Sequence, residues 1–207
     1  MTGVLFDLDW TLIDVQTHTD YDAAFHDVSR ALERWPEVST PATSWDGPTR
    51  ACMGILVALA GRPGWAEASA LIESHEMRAV EASRAMPGLA EVLAVTAHRP
   101  RGVVTLLPDR AARAALDRHG VDIDVIVPRR PDLRPKPAPD QVLEAARLLS
   151  LDVTELVMVG DSTWDLEAAL AAGATFIGIT NGRPAEFPSG TEMVDDLFEL
   201  AARLGTG

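Results

Sequence analysis

Cysteine is nearly missing from this chain: Cys52 is the only one in 207 residues. An internal disulfide and any thiolate metal cage are thereby excluded, and a reducing compartment fits, so the cytoplasm is the expected location. Long hydrophobic runs are also lacking. The first apolar stretch, residues 4–6, is stopped by Asp7, so neither a secretory leader nor a membrane span is expected. Positive charge is scarce, with 18 Lys and Arg against 31 Asp and Glu and a formal net charge of -13. Such a chain repels phosphate backbones, which argues against nucleic acid or an anionic membrane as principal partner. No internal repeat or low-complexity tract is present.

What the chain does contain is a series of short apolar runs, at residues 4–6, 103–104, 125–127, 156–159 and 176–179. Continuous rather than alternating hydrophobicity is the pattern of strands buried on both faces. Between the later runs lie alanine-rich stretches with helix signals. Asp109 is a candidate N-cap before "RAARAALDRHG", where Gly120 supplies the stop; "PDQVLEAARLLS" and "WDLEAALAAG" read the same way. Alternation of strand and helix predicts an α/β fold with a parallel, doubly wound sheet.

Residues 19–86 differ. Tyr21, Ala24, Phe25, Val28 and Leu32 fall at helical spacing, and "ACMGILVALA" and "WAEASALIESHEMRAVEASRAM" read as helices separated by "GRPG". This predicts an all-helical insert between the first strand and the rest of the sheet, with hinges at residues 14–17 and 86–88. A length of 207 residues accommodates a core with such a lobe.

The chemistry gathers where apolar runs stop. In "FDLDWTLID" the first run ends in Asp7, and Asp9 follows two residues later. In an extended chain these side chains share a side, about 6 to 7 Å apart. "GVVT" ends in Thr105, and "LVMVGD" ends in Asp161 with Asp165 one helical turn on. Parallel strands put such ends on one sheet edge, where ligands of open α/β sheets bind. Lys136, in the loop after another strand, reaches the same edge. Gathered carboxylates repel, by about 4 kcal/mol for a pair ~4 Å apart at an effective dielectric near 20. A divalent cation relieves this, and oxygen ligands without His or Cys select Mg²⁺, which usually completes its shell with water and substrate phosphate. Lys136 and Thr105 then read as phosphate contacts.

The motifs "DLDWT", "VVT", "RPKPAPD" and "GDSTWD" occur in that order. As a set they resemble the haloacid dehalogenase-like superfamily, specifically its phosphatase branch with a helical cap between the first and second motifs. The resemblance implies a Rossmann-like three-layer core of residues 1–15 and 87–207 and a helical cap of residues 16–86. It also implies a Mg²⁺-dependent phosphatase acting on a small phosphorylated metabolite through an aspartyl-phosphate. By the same resemblance Asp7 is the nucleophile and Asp9 the general acid and base; Asp7, Asp161 and the Asp9 backbone carbonyl hold the metal. Thr105 and Lys136 bind phosphate, Asp165 supports a coordinated water or Lys136, and Arg50 in "DGPTR" reads the substrate. Two positions depart from the pattern: Trp10 stands where glycine is usual, and Leu106 where a polar residue is common. Thr11 is expected to bond backbone near Asp7, and Ser162 to cap a helix. A phosphomutase of the β-phosphoglucomutase type uses the same residues and is the alternative activity. A signalling phospho-aspartate domain or a non-catalytic module is a further reading. The sequence leaves the oligomeric state open, a monomer included.

Overall fold

The computed structural model describes residues 3–32, 47–184 and 187–205. The elements run in chain order as β1 Gly3–Phe6, β2 Ile13–Asp14, α1 Tyr21–Leu32, α2 Gly47–Ala58, α3 Trp65–Ala79, β3 Arg84–Ala85, α4 Leu89–Thr96, β4 Arg101–Pro108 and α5 Asp109–Arg118. They continue as β5 Val125–Arg129, α6 Asp140–Leu149, β6 Leu156–Gly160, α7 Thr163–Ala172, β7 Thr175–Ile179, β8 Met193–Val194 and α8 Leu197–Gly205.

Six strands form one parallel sheet in the order β5-β4-β1-β6-β7-β8. Alternate side chains of β1 point to opposite faces, as a strand requires. Val4 and Phe6 join the hydrophobic cluster that includes residues of α4, α5 and α8, whereas Leu5 joins the one that includes residues of α6 and α7. Helices therefore cover both faces, and the apolar strand runs are continuous because neither face meets water.

β1 pairs with β4 on one side and β6 on the other, so Phe6 lies opposite both Val103 and Val159. Strand order reverses there, which opens a crevice beyond the carboxyl ends of these strands. The ladder extends one residue further, through Asp7 N–H to Val159 O at 2.8 Å. That bond fixes the Asp7 backbone at the floor of the crevice.

Above it, α1, α2 and α3 enclose their own cluster around Ala24, Val28, Leu56 and Ile72. Trp164 of α7, fully buried, belongs to that cluster and ties it to the sheet's edge. Two short antiparallel strands, β2 and β3, connect the helices to the sheet. Residues 33–46 of the expected insert lie outside the described residues. No helix among the described residues is long and apolar enough to cross a membrane.

Three local readings need correction. The stretch beginning at Trp65 does not stay helical to Met86: α3 stops at Ala79, a 3-10 turn covers Val80–Ala82, and β3 follows. Ser83 makes the stop, its hydroxyl donating to Val80 O at 2.7 Å and meeting His119 Nε2 at 3.0 Å, bonds that compete with the helix. β4 runs beyond Thr105 to Pro108, with its register against β5 shifting between Val104 and Pro108. Asp109 is the first residue of α5 without a side-chain capping bond, and instead pairs with Arg113 at 2.9 Å.

Candidate active site

Lys136 organises the crevice. Its ammonium donates to Asp7 Oδ1 at 2.7 Å, to Asp165 Oδ1 at 2.5 Å and to Val104 O at 3.0 Å, so all three donors are engaged. A lysine only 2% exposed would be costly without such partners. Gln141 holds the loop in place: its Oε1 accepts from Lys136 N at 3.1 Å, while its Nε2 donates to Thr105 O at 2.9 Å and Val127 O at 3.2 Å. No motif signal marked Gln141 in the sequence; a helix-face glutamine looks solvated until its partners are known.

Asp165 reaches Lys136 because α7 starts where it does. Ser162 is the N-cap: Asp165 N donates to its Oγ, and Ser162 N donates to Asp165 Oδ2 at 3.1 Å. This reciprocal capping box fixes one carboxylate oxygen at the helix start and leaves the other for Lys136. Gly160 makes the approach possible. A Cβ there would lie 2.5 Å from Asp165 Cβ and Cγ.

Asp9 faces the connection to the helices. Its Oδ1 accepts from the backbone N–H groups of Val15 and Gln16, both at 2.9 Å. Trp10 adopts φ 56°, the left-handed region that glycine occupies without penalty, and its carbonyl accepts from Asn181 Nδ2 at 2.6 Å. The indole also has a use, since the Arg183 guanidinium lies 3.8 Å above it and donates to Asp161. Thr11 reaches backbone beside Asp7 through its N–H, which donates to Leu8 O at 3.4 Å, and not through its side chain. Its hydroxyl is buried without a hydrogen-bond partner.

Burial dominates the electrostatics. It pushes Asp7 up to about 8, partly offset by Lys136 and reinforced by Asp165 and Asp161. Burial likewise raises Asp9 to about 8 against the lowering effect of its two N–H donors. Asp161 rises to about 7 through burial and Asp165, with Arg183 opposing. Burial alone would lower Lys136, but Asp165 and Asp7 outweigh it and hold the ammonium above its usual range. The crevice thus holds more negative charge than its own cations neutralise.

That excess suits a divalent cation. Carboxylate oxygens of Asp7, Asp161 and Asp165 lie within 4.8 Å of one another, an all-oxygen set of the hard-cation kind. Asp9 contributes no carboxylate to the three. Thr105 is 1% exposed, and its Oγ1 accepts from Leu107 N at 3.1 Å. Asp7, Asp9, Thr105, Lys136 and Asp161 together line a cleft that Tyr21 of α1, Thr49 and Met53 of α2 and Glu76 of α3 also border. Arg50 is half-buried on α2, but the residues of that helix in the cleft wall are Thr49 and Met53.

The other wall contains a group that the sequence did not suggest. Arg129, at the end of β5, and Glu76 of α3 are each fully buried and joined by two bonds, of 2.7 and 2.8 Å. Tyr21 donates to Glu76 Oε1 at 3.3 Å. Partners 53 residues apart leave no local pattern to read.

Comparison with known proteins accords with this geometry. A phosphoglycolate phosphatase of Pseudomonas putida is 28% identical over 95% of this chain and 77% of its own length. That of Neisseria meningitidis is 49% identical over 23% of this chain and 20% of its own. Among solved structures, a hydrolase from Pseudomonas syringae aligns over 100% of this chain and 99% of its own, at TM-score 0.74 and 24% identity. CbbY from Rhodobacter sphaeroides in complex with phosphate aligns over 97% and 96%, at 0.70 and 21%. The haloacid dehalogenase-like hydrolase model matches residues 1–173, well over half the sequence, and this chain belongs to that family.

Proposed function

We propose that the protein is a Mg²⁺-dependent phosphatase that hydrolyses a small organic phosphate monoester through an aspartyl-phosphate on Asp7. The observation that carries this reading is the Lys136 ammonium shared between Asp7 and Asp165 beside the three-carboxylate cluster. The phosphatase names of the sequence relatives support it.

Asp7, Asp161 and the Asp9 backbone would hold the cation, which when bound supplies positive charge to the carboxylates and to a phosphoryl oxygen. Asp7 attacks phosphorus. Thr105 donates its hydroxyl to a phosphoryl oxygen, and Lys136 exchanges one of its three bonds for a second; the charge of Lys136, with that of the cation when bound, ionises Asp7 against its burial and limits repulsion between an anionic nucleophile and an anionic ester. Asp9 is held by two backbone donors and kept protonated by burial up to about 8. It donates that proton to the leaving alkoxide, then takes one from the water that cleaves the intermediate. Residues 16–86 act as a cap that excludes bulk water from the first step. We place the enzyme in the cytoplasm, working on metabolites rather than macromolecules, and a monomer suffices.

A panel of phosphate esters assayed with and without Mg²⁺, beside Asp7→Asn, tests the reading. Metal-dependent release of inorganic phosphate by the wild type alone is expected. Equal release by both proteins would refute it, and isomerised ester without free phosphate would indicate a mutase.

A further inference from the structure

The β4-β5 ladder opens at Thr105. Registered pairs run to Val104–Val127 and resume only at Pro108–Arg129, so residues 105–107 of β4 stand against Pro128 alone, which has no N–H to offer. Side chains take the carbonyls at this opening. Val104 O accepts from Lys136 Nζ at 3.0 Å, Thr105 O from Gln141 Nε2 at 2.9 Å and Leu106 O from Arg129 Nη1 at 2.7 Å. Gln141 also holds two other pieces of main chain: its Nε2 donates to Val127 O at 3.2 Å, and its Oε1 accepts from Lys136 N at 3.1 Å. The side chain is 0% exposed, and both its N–H donors are spent. The reverse orientation of the amide would aim its oxygen at two carbonyls and its NH₂ at a backbone N–H, so the network admits only this one.

We propose that Gln141 is a positioning residue for phosphoryl transfer: by joining the main chain of Thr105 to that of Lys136, it holds the two phosphoryl contacts at the spacing the transition state needs. This rests on the phosphatase reading above. Thr105 stands on an open ladder and Lys136 in a loop between prolines. One amide ties the two segments to each other and to the end of the regular β5 ladder. Donors fixed before the reaction stabilise developing charge without reorganising, and a misplacement of about 1 Å can cost on the order of 10²-fold in rate. Gln141 is fully buried and does not border the cleft, so its effect on the reaction passes through Thr105 and Lys136.

The test is Gln141→Leu, which keeps a comparable volume and removes all three bonds. On p-nitrophenyl phosphate, whose leaving group needs no proton, the Mg²⁺-loaded variant is expected to lose about 10- to 10²-fold in kcat with KM little changed. Inhibition by orthovanadate, which takes up the five-coordinate geometry of the transition state, should weaken by about tenfold or more, and inhibition by inorganic phosphate much less. Val142→Ala controls for a general loosening of α6. Val142 is fully buried in the cluster under that helix, so its truncation should lower the urea midpoint and keep kcat near the wild-type value. Wild-type kcat in Gln141→Leu, or an equal loss of kcat in Val142→Ala, overturns the proposal and leaves the phosphatase reading standing. Inactivity of the wild type on every ester overturns both. Should Gln141→Leu fail to fold, Gln141→Glu supplies the second arm. Its carboxylate keeps an acceptor for Lys136 N but has no donor for Thr105 O, so the same losses in kcat and vanadate inhibition are expected, and retention of both would contradict the proposal.

Discussion

Each carboxylate of the crevice has a different neighbour, and the proposed division of work follows that difference. Asp7 is tied to Lys136, Asp9 to two backbone N–H groups, Asp161 to Arg183 and Asp165 to both Ser162 and Lys136. Asp9→Asn is expected to lower kcat on an alkyl phosphate by about 10²- to 10⁴-fold but far less on p-nitrophenyl phosphate, whose leaving group needs no proton. Because Asp9 is held near 8, wild-type turnover of alkyl esters should decline above that pH as the acid deprotonates. Steady-state rates from pH 5 to 10 on the two ester types check both outcomes. Lys136→Ala is expected to cost about 10²- to 10³-fold in rate, as does loss of a donor aimed at developing charge. Arg134 is exposed and bonded to Asp140 at 3.0 and 2.8 Å, so Arg134→Ala should keep nearly full activity. Asp7 and Asp161 were legible in the sequence because each sits where an apolar run ends, a position that parallel topology brings to one edge, whereas Asp9, Lys136 and Asp165 were legible through the motifs they complete. Gln141 and Arg183 were not, since their roles depend on partners at 36 and 22 residues' separation.

At the scale of elements, continuous apolar runs revealed five of the six sheet strands. β8 escaped because it is two residues long, with Met193 exposed. The β2-β3 ribbon escaped for the same reason, since two residues contain no period. The end of α3 was misread because alanine, valine and glutamate continue the helical pattern past the point where the Ser83 hydroxyl closes it. Among the contacts that join the helices to the sheet is the buried Arg129–Glu76 pair. Arg129→Ala leaves Glu76 buried and unpaired, and is expected to destabilise the fold by about 3 to 5 kcal/mol, measured as a reduced urea midpoint. Gly160→Ala belongs to the same scale. Its methyl group would displace Asp165 from the start of α7, so both the urea midpoint and kcat should fall.

For the whole molecule, burying several acids at one sheet edge makes stability depend on pH and metal together. Asp7, Asp9 and Asp161 rise from an ordinary 3.8 to about 8, about 8 and about 7. Each binds its proton more tightly folded than unfolded. Their contribution is therefore complete below about pH 4 and is lost as pH rises through 7 and 8. The metal-free protein should show a falling Tm across that window. On the proposed reading Mg²⁺ takes the folded, ionised site, so it should raise Tm more at pH 8 than at pH 5, as thermal scans at both pH values would record. An equal shift at the two pH values would mean that the cation binds elsewhere.

The most direct measurement is on Asp7 itself: rapid acid quench of the Mg²⁺-loaded enzyme during turnover of a phosphate-labelled ester, followed by peptide mapping. Label bound as an acyl phosphate to the peptide containing Asp7, and missing from Asp7→Asn, is the expected result. Label on another residue, or full turnover by Asp7→Asn, would contradict nucleophilic attack by this carboxylate.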